Sequence, residues 1–533
     1  MLSRSAHRLL FLFFSALVAF ALPLNEVGVS VGLIGLVVNW AFEWRYRKFF
    51  HSFQGARPLL FFLGIYCLVI VGLIFTADFS WALHDLRIKL PLLLVPIVFF
   101  SSDRLQEKEL HLILLALIAG VFVGSVASML VFWQVIPIEL TSSRSISLFI
   151  SHIRFALLIC MAVAALVYLM RERYRTLPTI LKVLGGLLVV WFVMFTFILQ
   201  SITGMVIMVL LFTGFMVGRI RAISNPMYRL WAYSFFGAVI LIGASMITKT
   251  ISSYYTVEIV DPAIDTYTTA NGRAYSKGLS SQERENGHYV DLFVCEEELE
   301  REWNRRGNLR YNEVGKDGFL VQYALKRFLT SKGLQKDSIG VWSLSKDEVC
   351  AIEKGVANVL DMSPFSIKGK IYRLVREVDL YNRGVDVGGA SLAQRFVYWK
   401  LAAQIFSENW LVGVGTGDVK EAYKQKYIEN PSLLEPKFQL RAHNQYITMF
   451  VTYGIFGGVF FLIALFYPII ALRAWKEPLV LAFAIILMLS MLNEDTLETH
   501  IGVSFAAFFY SVLFFGWLRQ SKSLSKNVTD ASR

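Results

Sequence analysis

Long apolar runs, broken by short polar stretches that are mostly basic, organise this chain. Twelve runs are nearly free of charge: residues 9–25, 27–42, 58–77, 88–102, 110–133, 148–170, 179–198, 202–218, 230–248, 456–472, 478–493 and 501–518. About twenty apolar residues cross a bilayer core. Lipid offers the backbone no hydrogen-bond partner, so such runs are helices. The pattern predicts an all-α polytopic membrane protein with about twelve transmembrane helices. The run at 88–102 is the shortest fit, since it carries Pro91 and Pro96. The first run, in "MLSRSAHRLLFLFFSALVAFALPL", has the make-up of a signal peptide as well as of a span. A second apolar run directly behind it favours an uncleaved first span.

Between 249 and 442 the apolar runs stop. This insertion is too long for an ordinary loop and must fold. It opens on a Thr/Tyr/Ser-rich linker, "SSYYTVEIVDPAIDTYTTANGRAYSKGLSS", with the composition of a flexible segment. In "DLFVCEEELEREWNRR", Leu292, Phe293, Leu299 and Trp303 recur at helical spacing. "GFLVQYALKRFLTSKGL" predicts a second helix ending at Gly333. "SKDEVCAIEKGVANVL" predicts a third, with Ser345 and Glu348 as a capping box. "IYRLVREVDLYNRG" and "SLAQRFVYWKLAAQIFSEN" predict two more, the last leading into "WLVGVGTGD". No strand-like alternation of any length occurs. The expected organisation is a transmembrane bundle over 1–248, a helical insertion over 249–442, a His-bearing helix with the last three spans over 443–518, and a tail over 519–533.

Charge orients these pieces. The loops "EWRYRKFFHSFQGAR", "RERYR", "RIRAISNPMYR" and "RAWK" and the tail "RQSKSLSK" are basic. With twelve spans they share one side with both termini, which the positive-inside rule makes the cytoplasm. The insertion then lies on the opposite, exported side. The chain has 533 residues, is 56% hydrophobic and 17% charged, and has a net charge of +12. Residues 251–442 hold 26 basic and 26 acidic residues, so the whole surplus belongs to the membrane part and its loops. It is a topology signal and not a nucleic-acid footprint. Cys67 and Cys160 fall inside spans and read as packing residues. Cys295 and Cys350 fall in the insertion, where an oxidising environment would allow one pairing.

The motifs exclude several chemistries. No HExxH or paired CxxC suggests a metal, and no GxxxxGK[ST] suggests an ATP-driven pump. No GxSxG elbow is present. The "GVGTGD" turn reads either as an anion cradle or as a tight helix-terminating turn. Within the spans the clear ionisable residue is Arg154, near the outer end of its helix, beside Arg144 and His152. Polar groups thus gather at the outer surface and not at the bilayer centre, where an ion-coupled carrier would keep them. "RAHNQYITMFVTYGIFGG" then runs from a polar head into a glycine-punctuated apolar run. His443 to Gly454 spans about three helical turns, roughly 16 Å. This predicts a short outer-surface helix beginning at His443 and ending at Gly454, with Gly457 opening the next span. His443 there is either a structural cap or, as a neutral imidazole, a base.

His443-Asn444, nine residues, Gly454, two residues, Gly457 is similar to the signature shared by bacterial O-antigen ligases, O-antigen polymerases and related O-oligosaccharyltransferases. "AQRFVYWKLAAQIFSENWLVGVGTGD" resembles that family's Arg-Trp-glycine stretch, here Arg395, Trp399, Gly413, Gly415 and Gly417. The acidic turn "NEDTLETH" before the last span agrees as well. The resemblance implies an inverting glycan transferase of the inner membrane, without metal or cofactor. Its donor would be a glycan on undecaprenyl diphosphate. Its acceptor would be a hydroxyl of lipid A-core, of a growing glycan or of a protein, outside the inner membrane. The insertion would be periplasmic. His443 would activate the acceptor, and Arg395 would hold the diphosphate. A lipid-linked glycan flippase is the non-enzymatic alternative. One departure stands out: relatives carry a second arginine at the start of the eighth span, where this chain reads "QSITGMV", residues 200–206. Arg154 and Arg441 are the candidates to replace it. The alternative for Arg154 is snorkelling to head groups, and for Arg441 a surface ion pair.

Overall fold

The computed structural model describes residues 3–45, 56–137, 146–173, 175–257, 267–276, 283–315, 318–363, 366–384, 388–430 and 434–518. Arg144, parts of the expected linker and the C-terminal tail lie outside these. The chain forms two units, one of Met1–Met216 with Gln394–Arg533 and one of Val217–Ala393.

The first unit is built of apolar helices. Helix α1, Arg4–Ala21, is capped by Ser3, and α2, Glu26–Phe42, by Asn25. These two pack closely, and a Cβ on Gly32 or Gly35 would collide with Val18 or Phe14. Small residues letting helices approach is the usual device of membrane interiors. Helices α3 (Arg57–Val71), α4 (Phe79–Lys89), α5 (Pro91–Ser101), α6 (Glu107–Phe132), α7 (His152–Glu172), α8 (Thr179–Ile198) and α9 (Ile202–Arg221) follow. After the second unit the chain returns through a helix over Ser391–Glu408 and one over Val419–Glu429. It then makes the long helix Gln445–Ala471, Pro478–Asn493 and His500–Tyr510, the last continuing as a wider π-helical stretch to Leu518.

Among the described residues nine helices are long and apolar enough to span a membrane, and Glu26–Phe42 and Pro478–Asn493 are shorter apolar helices. The protein is therefore an all-α polytopic membrane protein. The run expected at 88–102 forms an 11-residue helix behind Pro91. It continues α4 through Leu90, whose φ of −52° and ψ of −35° are helical.

In the second unit, Pro226–Tyr255 is a 30-residue helix. Short helices pack around Leu299, Trp303, Leu325, Phe328 and Ile352. The capping box forms as the sequence reads: Ser345 accepts from the Glu348 amide, and the Glu348 side chain accepts from the Ser345 amide. Gly333 takes φ 68° just after Val321–Ser331. The strand content described is one hairpin, Arg284–Glu285 with His288–Tyr289. The expected disulfide is not formed. Cys295 is buried at the N-cap of Glu296–Arg306, whereas Cys350 is exposed on Lys346–Glu353, and both are free.

Candidate active site

The site is assembled where the polar head of residues 441–444 meets the acidic turn 493–498. Asn444, not His443, caps the helix Gln445–Ala471. Its Oδ1 accepts from the Ile447 amide at 3.1 Å, and its Nδ2 donates to the Leu492 carbonyl at 3.0 Å. His443 precedes the cap with φ 47°. A side-chain-bearing residue rarely takes that left-handed conformation, and it persists only where the surroundings impose it. Here the residue after it, Asn444, is fixed as the helix cap, and two contacts fix the residues before it. Trp399 Nε1 donates to the Ala442 carbonyl at 3.0 Å, and Arg441 Nη1 meets Glu498 Oε2 at 3.4 Å.

His443 Nδ1 faces Glu494 Oε2 at 3.7 Å, longer than a hydrogen bond. The Tyr398 ring lies 5.9 Å from the imidazole, centroid to centroid. The partner that faces the imidazole is thus a carboxylate. Burial pushes the Glu494 carboxyl up. His443 and the charges of Arg154 and Arg395 more than offset that and hold it below the usual carboxylate range.

The three arginines divide. Arg395, on the helix Ser391–Glu408, donates from Nη2 to the Asn493 carbonyl at 3.3 Å, so it reaches the turn that carries Glu494. Arg154, half-buried in the first turn of α7, lines a cavity of about 390 Å³. Among the described residues its guanidinium makes no direct hydrogen bond or ion pair, yet its charge acts on Glu494. Arg441 is committed elsewhere. Glu498 accepts from it, from Lys89 Nζ at 2.8 Å and from Gln445 Nε2 at 3.2 Å. Lys89 also meets Asp85 at 2.6 Å. Burial raises the Glu498 carboxyl, but Lys89 and Arg441 outweigh it and leave it lowered to about 2. Asp85 is the reverse case: burial, only partly offset by Lys89, pushes it up to about 6.

The glycines serve packing. Gly413 has φ 73°, and a Cβ there would lie 2.3 Å from the Thr452 carbonyl carbon; Gly454 has φ 63°, and its Cβ would lie 2.3 Å from Leu411. The two backbones touch, and Gly454 breaks the helical dihedrals of Gln445–Ala471 at that contact. Every amide from 413 to 417 is bonded internally. The acceptors are Asn409 O, Val451 O, Thr452 O, Gly72 O and Thr76 Oγ1. The glycine turn is therefore a joint and has no amide left to cradle an anion. Gly457 is buried against Tyr453.

Reading the sequence alone missed Asp85, Lys89, Glu494, Asp495 and Glu498. The signal was "NEDTLETH", three carboxylates in a turn with no cation near them in sequence. Asp495 is tied down as well, accepting from Thr448 Oγ1 at 2.7 Å.

The site thus brings a histidine, a carboxylate and arginines together at one helix mouth of a polytopic helical protein. Residues 355–462 match the family model described as O-Antigen ligase, so this stretch of the chain is similar to that family. The match contains Arg395, Trp399, the glycine turn, His443, Asn444 and Gly454. Arg154 and Glu494 lie outside it. No curated protein matches the chain.

Proposed function

We propose that this protein transfers a glycan from undecaprenyl diphosphate to an acceptor hydroxyl at the periplasmic face of the inner membrane, with lipid A-core as the acceptor. Both termini are then cytoplasmic, and 249–442 is the periplasmic insertion. The observation that carries the reading is His443 Nδ1 facing Glu494 Oε2 at 3.7 Å, with Arg395 Nη2 donating to the adjoining Asn493 carbonyl at 3.3 Å.

In this reading His443 Nδ1 faces Glu494 and leaves Nε2 to take the acceptor proton. The acceptor oxygen attacks the anomeric carbon, and the bond from that carbon to the diphosphate oxygen breaks with inversion. The electron pair leaves on the diphosphate. That group is already a stable anion, so what it needs is positive charge. Arg395 and Arg154 supply it, and Glu494 stabilises the imidazolium. Arg154 also suits the place of the arginine missing from "QSITGMV". In that stretch Thr203 Oγ1 accepts from Asn493 Nδ2 at 2.5 Å, so it reaches the turn that carries Glu494.

Deleting the gene and separating surface polysaccharide on gels tests the acceptor. Ligase loss leaves lipid A-core bare while polymer accumulates on its carrier. Core bearing one repeat unit would instead mark a polymerase, and loss of a protein-linked glycan an oligosaccharyltransferase. Lipid-linked units stranded on the cytoplasmic side would mark a flippase.

A further inference from the structure

The cavity of about 390 Å³ beside Arg154 is lined by Glu26, Ser147, Phe149, Ser151 and Ile501 among others. Its size falls in the range of small-ligand clefts, roughly 300–1,000 Å³. Three side chains on its wall have different chemistries. Arg154 brings a cation that has no direct partner among the described residues. Glu26, in the first turn of α2, is exposed and brings a carboxylate that no ion pair occupies among the described residues. Phe149 is 47% exposed and brings a ring face.

A bare diphosphate would be drawn to Arg154 and repelled by Glu26. A lipid tail would find the carboxylate and the serines unfavourable. A sugar joined to a phosphate answers all three. Its hydroxyls donate to a carboxylate, a charge-assisted and therefore strong bond. The C–H face of its ring, slightly positive, packs on the negative face of an aromatic ring. Its phosphate lies at the arginine.

We propose that this cavity seats the first sugar of the carrier-linked donor, with Glu26 and Phe149 reading that sugar and Arg154 marking its phosphate end. The inference rests on the donor assigned above. It makes Glu26 and Phe149 specificity residues in a part of the chain outside the family match.

Binding, measured apart from transfer, tests it. The purified full-length protein in lipid nanodiscs is titrated with glycan-bearing undecaprenyl diphosphate and with the sugar-free carrier. The wild type is expected to prefer the glycan-bearing form. Glu26→Gln and Phe149→Ala are expected to lose that preference by about tenfold or more, as for a lost charge-assisted bond, with sugar-free carrier bound as before. Phe149→Trp keeps a ring face and is expected to keep the preference, which separates recognition from misfolding. Arg154→Gln weakens both ligands. A preference unchanged in Glu26→Gln and Phe149→Ala overturns the inference even if transfer proceeds. A preference that depends on both residues in a protein that transfers nothing upholds the cavity and removes the transfer reading instead.

Discussion

His443 Nδ1 lies 3.7 Å from Glu494 Oε2, in a backbone conformation of φ 47° that its neighbours impose. The chain holds the imidazole against a carboxylate at a cost in local strain. A merely structural cap would not need that, since Asn444 already caps the helix.

His443→Asn is therefore expected to abolish transfer without unfolding the protein. Asn tolerates the left-handed conformation, so backbone strain is not the variable. A positioned base is worth about a hundred- to ten-thousandfold in rate. Glu494→Gln should show an intermediate loss, because the base remains and only its countercharge goes. Transfer by purified protein, paired with thermal melting, decides this. A near-normal rate in His443→Asn would remove the base.

Arg154 and Arg441 should separate in opposite ways. Among the described residues Arg154 has no direct partner to lose, so Arg154→Gln is expected to melt like the wild type. At about 4 Å and an effective dielectric of 20, its charge is worth about 4 kcal/mol to the leaving diphosphate, up to roughly a thousandfold in rate. Arg441→Gln removes a donor from buried Glu498, so its effect should fall first on melting. Equal transfer rates in Arg154→Gln and the wild type would return Arg154 to a snorkelling role.

Asp85 predicts a pH signature. Its folded pKa, about 6, lies above its ordinary value, so between roughly pH 4 and 6 the folded state binds more protons than the unfolded one. This term stabilises below that window and is lost as pH rises through 6. Asp85→Asn should flatten it. Glu498 contributes with the opposite sign: its folded pKa of about 2 gives stability that is present above about pH 4.5 and lost as pH falls toward 2. Melting temperature across pH 4–7 for wild type and Asp85→Asn measures the difference. Parallel curves would place Asp85 outside the buried network.

How much of this was written in the sequence depends on range. The Ser345–Glu348 capping box spans three residues, and the left-handed glycines end their own helices, so local pattern reveals them. The apolar runs mark helices because each run is its own evidence. The bond from Lys89 to Glu498 joins residues 409 apart. Apolar periodicity says that a face is buried but not which face meets it. The same holds for His443 with Glu494. It also explains why Arg441, next to the histidine in sequence, looked like a site cation until Glu498 was seen to hold it.

The joint between Gly413 and Gly454 gives the last prediction. Gly454→Ala would place a Cβ 2.3 Å from Leu411 carbonyl atoms and 2.5 Å from the Val412 amide, at φ 63°. The left-handed conformation alone costs roughly 1–2 kcal/mol for a residue with a Cβ, and overpacking adds about 1–3 kcal/mol. Neither partner can swing aside, because both are backbone. The Ile455 amide also donates to the Trp410 carbonyl at 2.7 Å across this contact, so forcing it apart loses that bond as well. Gly454→Ala and Gly413→Ala are each expected to lower folded yield sharply and, in whatever folds, to displace the helix that His443 and Asn444 precede. Gly186→Ala is the control. It lies within the helix Thr179–Ile198 with nothing within 4 Å of an added Cβ, and it should be neutral or slightly stabilising. Detergent-solubilised yield and melting temperature of the three variants measure this. If Gly454→Ala folds and melts like Gly186→Ala, the two backbones do not touch, and the glycine turn has no part in holding the histidine in place.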